Sequence, residues 1–202
     1  MFITALMYRG PSGQYYNPLN HFISELGYIG VSDFAWLFNG GIIIGGLLIA
    51  CFMWGLGGKL KTRLYEISSF VGVIAGVLEA FIGFFSMNNL NIHIIVAMSF
   101  FITSTITMML YSIAIYKDTN QLLPKTLVLY GLLVFVSFII FLFNPFDSAA
   151  INLAGSLSTE NNDNLETIRP EIWSIAILEC VSILSILIWA IIISIVLKKN
   201  NR

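Results

Sequence analysis

His21, Ser24 and Glu25 stand within five residues of one another in the stretch NPLNHFISELG, and a second histidine, His93, closes the stretch GFFSMNNLNIH further along. Histidine supplies a general base or a metal-ligating nitrogen near neutral pH, and a carboxylate four residues away on a helix can face the same ligand or orient the imidazole. Two acids, Glu79 and Glu179, interrupt runs that are otherwise apolar, and Asn39 and Asn88 add amides close by. An acid within a membrane costs several kcal/mol unless it is protonated, paired or facing water, so intramembrane acids point to function by default. The alternative for each is a protonated acid bonded to a neighbouring helix, and for the opening stretch a polar face that meets only water. Both alternatives stand at the level of sequence.

The elements that position these residues follow from composition. Hydrophobic residues make up 57% of the 202 residues and charged ones 10%, with a mean hydropathy of +0.86. Such a balance cannot cover a water-exposed globular surface of this length, so the chain is a membrane protein. A bilayer-crossing helix needs roughly 20 mainly apolar residues. Five segments qualify, at about 35–57, 67–88, 94–116, 127–144 and 172–197. The expected fold is therefore an all-α, polytopic membrane helix bundle forming a single domain over 1–202, with five full transmembrane helices plus a short interfacial amphipathic helix. That short helix is expected over about 18–26: Asn17 can cap it, Pro18 suits its first turn, and Gly27 suits its stop. At 100° per residue Leu19, Phe22, Ile23 and Leu26 share one face, and Asn20, His21, Ser24 and Glu25 share the other.

Charge sets the expected threading. Eight of the ten basic residues (Lys59, Lys61, Arg63, Lys117, Lys125, Lys198, Lys199 and Arg202) fall on one side of the spans, with Arg9 and Arg169 on the other. By the positive-inside rule the richer side is cytoplasmic, so the amino-terminal segment and the acid-rich connection 145–170 lie outside and the carboxyl terminus inside. Asp163 is then external and Lys199 internal. A net charge of −1 with no basic patch gives no sign of a nucleic-acid partner. Cys51 and Cys180 sit at depths of roughly 24 Å and 12 Å by helical rise, too mismatched for a disulfide.

His21, Ser24, Glu25, Asn39, Glu79, Asn88, His93 and Glu179 all gather toward the outer side, whereas the inner half carries mainly hydroxyls such as Thr103, Ser104, Thr105, Thr107, Ser182 and Ser185. Those can bond to their own helix backbone. A polar path through the whole membrane is thus not expected, which disfavours a channel or ion pump and favours a cavity open to the outer leaflet, with His21, Glu25 and His93 lining it. Small residues spaced by four, Gly41 with Gly45 and Gly72 with Gly76 and Ala80, are expected to let helices approach closely. No HExxH, GxSxG or paired-Asp motif occurs, so the sequence names neither a metal, a cofactor nor a catalytic residue.

The ordered series HFISELG, FNGG and GFFSMNNLNIH resembles the prokaryotic membrane family catalogued as domain of unknown function 998, over most of the chain up to about Tyr116, and RPEIW ahead of the last span is compatible with it. The resemblance implies recurrent positions at His21, Ser24, Glu25, Gly27, Asn39 and His93. It also implies a further span ahead of the HxxSELG segment, since family members are usually six-helical. Here FITALMY precedes that segment and reads as the end of a span, so further apolar residues are expected to be encoded in frame upstream. A more distant similarity to DRAM-like and GPI-anchor-remodelling membrane proteins implies membrane lipid as partner. Two functions follow as expectations: binding of a lipid head group or small amphiphile in an outer-leaflet polar cavity, or an intramembrane hydrolase or head-group or acyl transferase using His21, Glu25 and His93.

Overall fold

A computed structural model describes residues 2–10, 13–144 and 170–200. Its described residues form helices and connecting turns: α1 (Phe2–Met7), α2 (Ala35–Leu60), α3 (Arg63–Phe84), α4 (Leu90–Lys117), α5 (Thr126–Phe143) and α6 (Ser174–Asn200), with short 3-10 helices at Ile23–Gly27 and Met87–Asn89. Five of these helices are long and apolar enough to cross a membrane. The expected spans are all present, displaced by a few residues at their ends. The connection 145–169, and with it Asp163, lies outside the described residues.

Each span packs against the next in sequence, from α2 on α3 to α5 on α6. The core runs along this series, from Met53, Leu56 and Tyr65 through Phe101 and Met108 to Phe138 and Trp189. Trp36, Trp54, Tyr116 and Leu129 turn outward, as aromatic and aliphatic side chains do against lipid. The helices α2 and α6 are bridged at one end of the bundle by the 3-10 helix Ile23–Gly27, which packs on both.

The closest helix approach involves small residues, but not all of those expected. A Cβ on Gly46 would lie 2.4 Å from Ala80 N and 2.5 Å from Gly76 O, whereas Gly41 and Gly45 face open space. The stripe used on α2 is Gly46 and Ala50, set against Gly76 and Ala80 on α3. Gly72 instead meets the Met53 side chain.

At the opposite end of the bundle α2 stops on Lys61, whose φ of 49° is left-handed, and α3 begins two residues later at Arg63. The α4–α5 turn is held by Lys125, whose Nζ donates to the carbonyls of Ile115 (2.7 Å), Tyr116 (2.6 Å) and Asp118 (2.8 Å). A cation on the orphan carbonyls of a helix end satisfies them and complements the helix dipole. Lys125→Met should cost about 1–2 kcal/mol and lower the melting midpoint by a few degrees, measured by thermal denaturation in detergent.

The inner half is less plain than expected. Ser69 Oγ and the Tyr111 hydroxyl share a short hydrogen bond, Tyr65 donates to Asp118 Oδ2 at 3.2 Å, and Ser182 donates to Ser137 O on the neighbouring helix at 3.3 Å. Thr103, Thr105 and Thr107 do bond to carbonyls four residues back on their own helix. Cys51 and Cys180 are both free thiols.

Candidate functional site

NPLNHFISELG does not form one α-helix. Residues 18–20 make a turn, and the helical part is the 3-10 helix beginning at Ile23. Side chains three apart eclipse in that geometry, so Ile23 and Leu26 point together into the gap between α2 and α6. There they form a small core with Tyr8 and Phe38, flanked by Cys180 and Ile183. Phe22 packs edge-on against Trp173 with centroids 4.9 Å apart, and Trp173 N donates to Leu19 O at 2.7 Å. The segment is a plug at one end of the bundle rather than a helix lying on its surface.

Acids hold this plug. Glu179 on α6 accepts the Ile23 amide at 2.6 Å and also the Ser24 amide, so one carboxylate caps the orphan amides at the start of the 3-10 helix. Glu25 reaches back to the Phe22 amide at 2.9 Å, half of a capping box whose other half Phe22 cannot supply. The Tyr8 hydroxyl donates to the second oxygen of Glu25 at 3.4 Å.

His21 lies in an aromatic nest that no sequence pattern marks. The Tyr8, Tyr16 and His21 rings stand 5.6 to 5.9 Å apart pairwise. The imidazole Nδ1 is 2.8 Å from Asn20 Oδ1. Burial, then the neighbouring Cys180 and the acids Glu179 and Glu25, push the Tyr16 phenol well above its ordinary range, so it remains protonated at any working pH. The two tyrosines lie in irregular backbone, where no periodicity marks them.

Amides complete the frame. Asn39 Nδ2 donates to Gly27 O at 3.0 Å, and Asn88 both accepts from Ile29 N (2.9 Å) and donates to Ile29 O (2.8 Å). A Cβ on Gly27 would fall 2.2 Å from Asn39 Oδ1. Gly27→Ala should therefore break that hydrogen bond and cost about 1–3 kcal/mol, read as a lower melting midpoint, with Asn39→Ala giving a loss of similar size.

Below the plug lies a cavity of about 80 Å³ between α2, α3, α4 and α6, with no contribution from α5. Ser24, Glu79, His93 and Glu179 line its outer part, and Ile49, Met53, Phe100 and Phe101 line the deeper part as far as Thr107. From His93 to Thr107 helical rise gives roughly 20 Å. A space of that volume drawn out over that length is long and narrow.

Of the eight residues expected to bind ligand, the fold brings four to this cavity: Ser24, Glu79, His93 and Glu179. His21, Glu25, Asn39 and Asn88 are not among its lining residues, and each is engaged in fastening the plug or the outer turns. Of the three residues expected to share one cavity, His93 lines this one, while the 3-10 geometry turns the apolar Ile23 and Leu26 inward. Ser104, which also lines the cavity, is fully buried, and its hydroxyl has no hydrogen-bond partner among the described residues.

His93 Nδ1 lies 2.7 Å from Phe85 O. A carbonyl only accepts, so Nδ1 carries the proton and the neutral ring keeps Nε2 as an acceptor. Glu79 makes no hydrogen bond or ion pair among the described residues. No group of three or more His, Cys, Asp or Glu side chains that could hold a metal ion occurs among them either.

The family described as "Protein of unknown function (DUF998)" matches residues 1–196, a range that takes in the plug, the FNGG turn of α2 and the His93 turn. The chain belongs to the DUF998 family. No curated protein and no solved structure matches this DUF998 protein. The match covers all five spans, the plug and the cavity.

Proposed function

We propose that this DUF998 protein binds a lipid head group or small amphiphile from the outer leaflet, with the head beneath the plug and the chain running down the cavity. The observation that carries the reading is the polarity gradient along one narrow space: Ser24, Glu79, His93 and Glu179 at the outer part, hydrocarbon below. Ile183 and Ile186 on α6 and Ile42 and Ile49 on α2 line the side where the first and last spans are bridged by the plug, offering an apolar route from lipid. Purification in native lipid followed by mass spectrometry tests it. A single retained class of amphiphile is the expected result, and recovery of bulk lipid in bulk proportions would overturn the reading.

The proposed setting is the cell membrane, with the plug outside and the carboxyl terminus cytoplasmic, a threading that the eight-to-two split of basic residues supports. In a Cys-free background, Asp33→Cys should react with a membrane-impermeant thiol reagent on intact cells and Lys199→Cys only after permeabilisation. The opposite pattern would place the cavity in the inner leaflet.

An intramembrane hydrolase or transferase is the second reading, favoured by the acceptor nitrogen of His93 in the cavity. With His21 and Glu25 committed to the plug, His93 is the general base in this reading, with Glu79 on the same cavity wall. Altered lipid products in cells expressing the protein, lost in His93→Ala, would select it.

A further inference from the structure

The lining of the cavity bears on what kind of head group it takes. Its polar groups are carboxylates, the His93 acceptor nitrogen and hydroxyls, and among the described residues neither Lys nor Arg lines it. The two acids are not equivalent. Glu179 is already occupied by the amides of Ile23 and Ser24, so it belongs to the plug. Glu79 has no partner among the described residues, although it lies five residues inside the end of α3 and faces an otherwise largely apolar space. An uncompensated acid at that depth is costly, and a bound cation removes the cost by pairing with it. The unpartnered hydroxyl of Ser104, fully buried on the same wall, is a second sign that the space is built for an occupant.

Anionic heads fit poorly. The amino-terminal ends of α2, α4 and α6 do bring partial positive charge to the outer face, but that influence fades within the first turn, and Glu79 lies deeper than one turn. A phosphate or carboxylate head would meet Glu79 with no cation to offset the repulsion.

We infer that the ligand is a single-chain amphiphile whose head is a protonated amine, with Glu79 as its ion-pair partner, His93 Nε2 and the Ser24 hydroxyl as hydrogen-bond acceptors, and the alkyl chain between Met53 and Phe101. The inference rests on the proposed amphiphile-binding role and narrows it to one head-group class. Glu79 is the binding acid and Glu179 a positioning residue that holds the plug above the head.

The test uses the full chain in nanodiscs and three probes of equal chain length, dodecylamine, dodecanol and dodecanoate, titrated calorimetrically with partitioning into empty discs subtracted. Dodecylamine is expected to bind at least about tenfold more tightly than dodecanol, with dodecanoate weakest. Glu79→Gln should weaken dodecylamine on the order of 30-fold and leave dodecanol unchanged. Ala97→Phe, which fills the cavity wall, should abolish binding of all three. Equal affinity for amine and alcohol, both blocked by Ala97→Phe, would overturn the head-group class and leave the cavity reading standing. Tighter binding of dodecanoate, or an amine preference that survives Glu79→Gln, would also overturn it. Failure of every probe to bind would remove both readings together. Should Glu79→Gln fail to fold, the ranking of the three probes on the unmodified protein decides alone.

Discussion

Gly76→Val is expected to leave little folded protein. A Cβ at this position would lie 2.6 Å from Ala50 N and 2.7 Å from Gly46 O, and both are backbone atoms of α2 that no rotamer change can move aside. The helices must separate, and with them goes close contact that lipid does not replace, because association within a bilayer rests on packing rather than on exclusion of water. Overpacking a well-filled core through side chains alone costs about 1–3 kcal/mol. A backbone collision along the first helix pair should cost at least about 3 kcal/mol, since no side chain can absorb it. Gly45→Val is the control: nothing lies within 4 Å of its Cβ position, so the change should stay within about 0.5 kcal/mol. Monodisperse yield and thermal melting in detergent separate the two, and equal melting of both variants would show that α2 and α3 are not in this register.

Glu179→Ala should free the plug while leaving the five spans assembled. It removes the only carboxylate that accepts the Ile23 and Ser24 amides, and each orphaned amide in a dry environment costs about 1–3 kcal/mol. The expected total is about 2–5 kcal/mol, concentrated at the outer end. Glu179→Gln should do less, because its remaining oxygen can still take one amide. Amide hydrogen exchange gives the readout: protection across Ile23–Gly27 should collapse, while the α2–α3 interface stays protected. Unchanged protection at Ile23 would mean that Phe22 on Trp173 and the Ile23–Leu26 core hold the plug without the acid.

Run length and charge made the spans legible, because hydrocarbon thickness is an unambiguous ruler. The opening stretch was legible as a short capped element but not as to which residues it turns inward. A wheel at 100° per residue puts His21 and Glu25 opposite Ile23 and Leu26, whereas the tighter 3-10 repeat, with α6 supplying the cap, inserts Ile23 and Leu26 between helices. The small-residue stripe failed for a similar reason. FNGGIIIGGLL offers two adjacent glycines at each turn, and one position of rotation separates the stripe that meets α3 from the one that meets nothing. Glu79 and Glu179 looked alike because depth is all that a sequence reveals about them. What distinguishes them is a contact across 156 positions, between Ile23 and Glu179. The inner hydrogen bonds, such as Tyr65 with Asp118, depend equally on pairings between helices that local patterns do not encode.

That long-range contact has a consequence for how the protein is made. Spans α3 to α5 each pack on the neighbour synthesised just before, so the bundle can assemble stepwise as the chain leaves the ribosome, and local contacts of this kind form fast. The plug cannot follow that order. Its amides wait for Glu179 and its Leu19 carbonyl waits for Trp173, both translated roughly 150 residues later. During biogenesis the cavity is therefore unroofed until α6 inserts, and a nascent chain arrested before α6 carries a helix assembly with no roof over that space. Closure of the cavity thus reports insertion of α6.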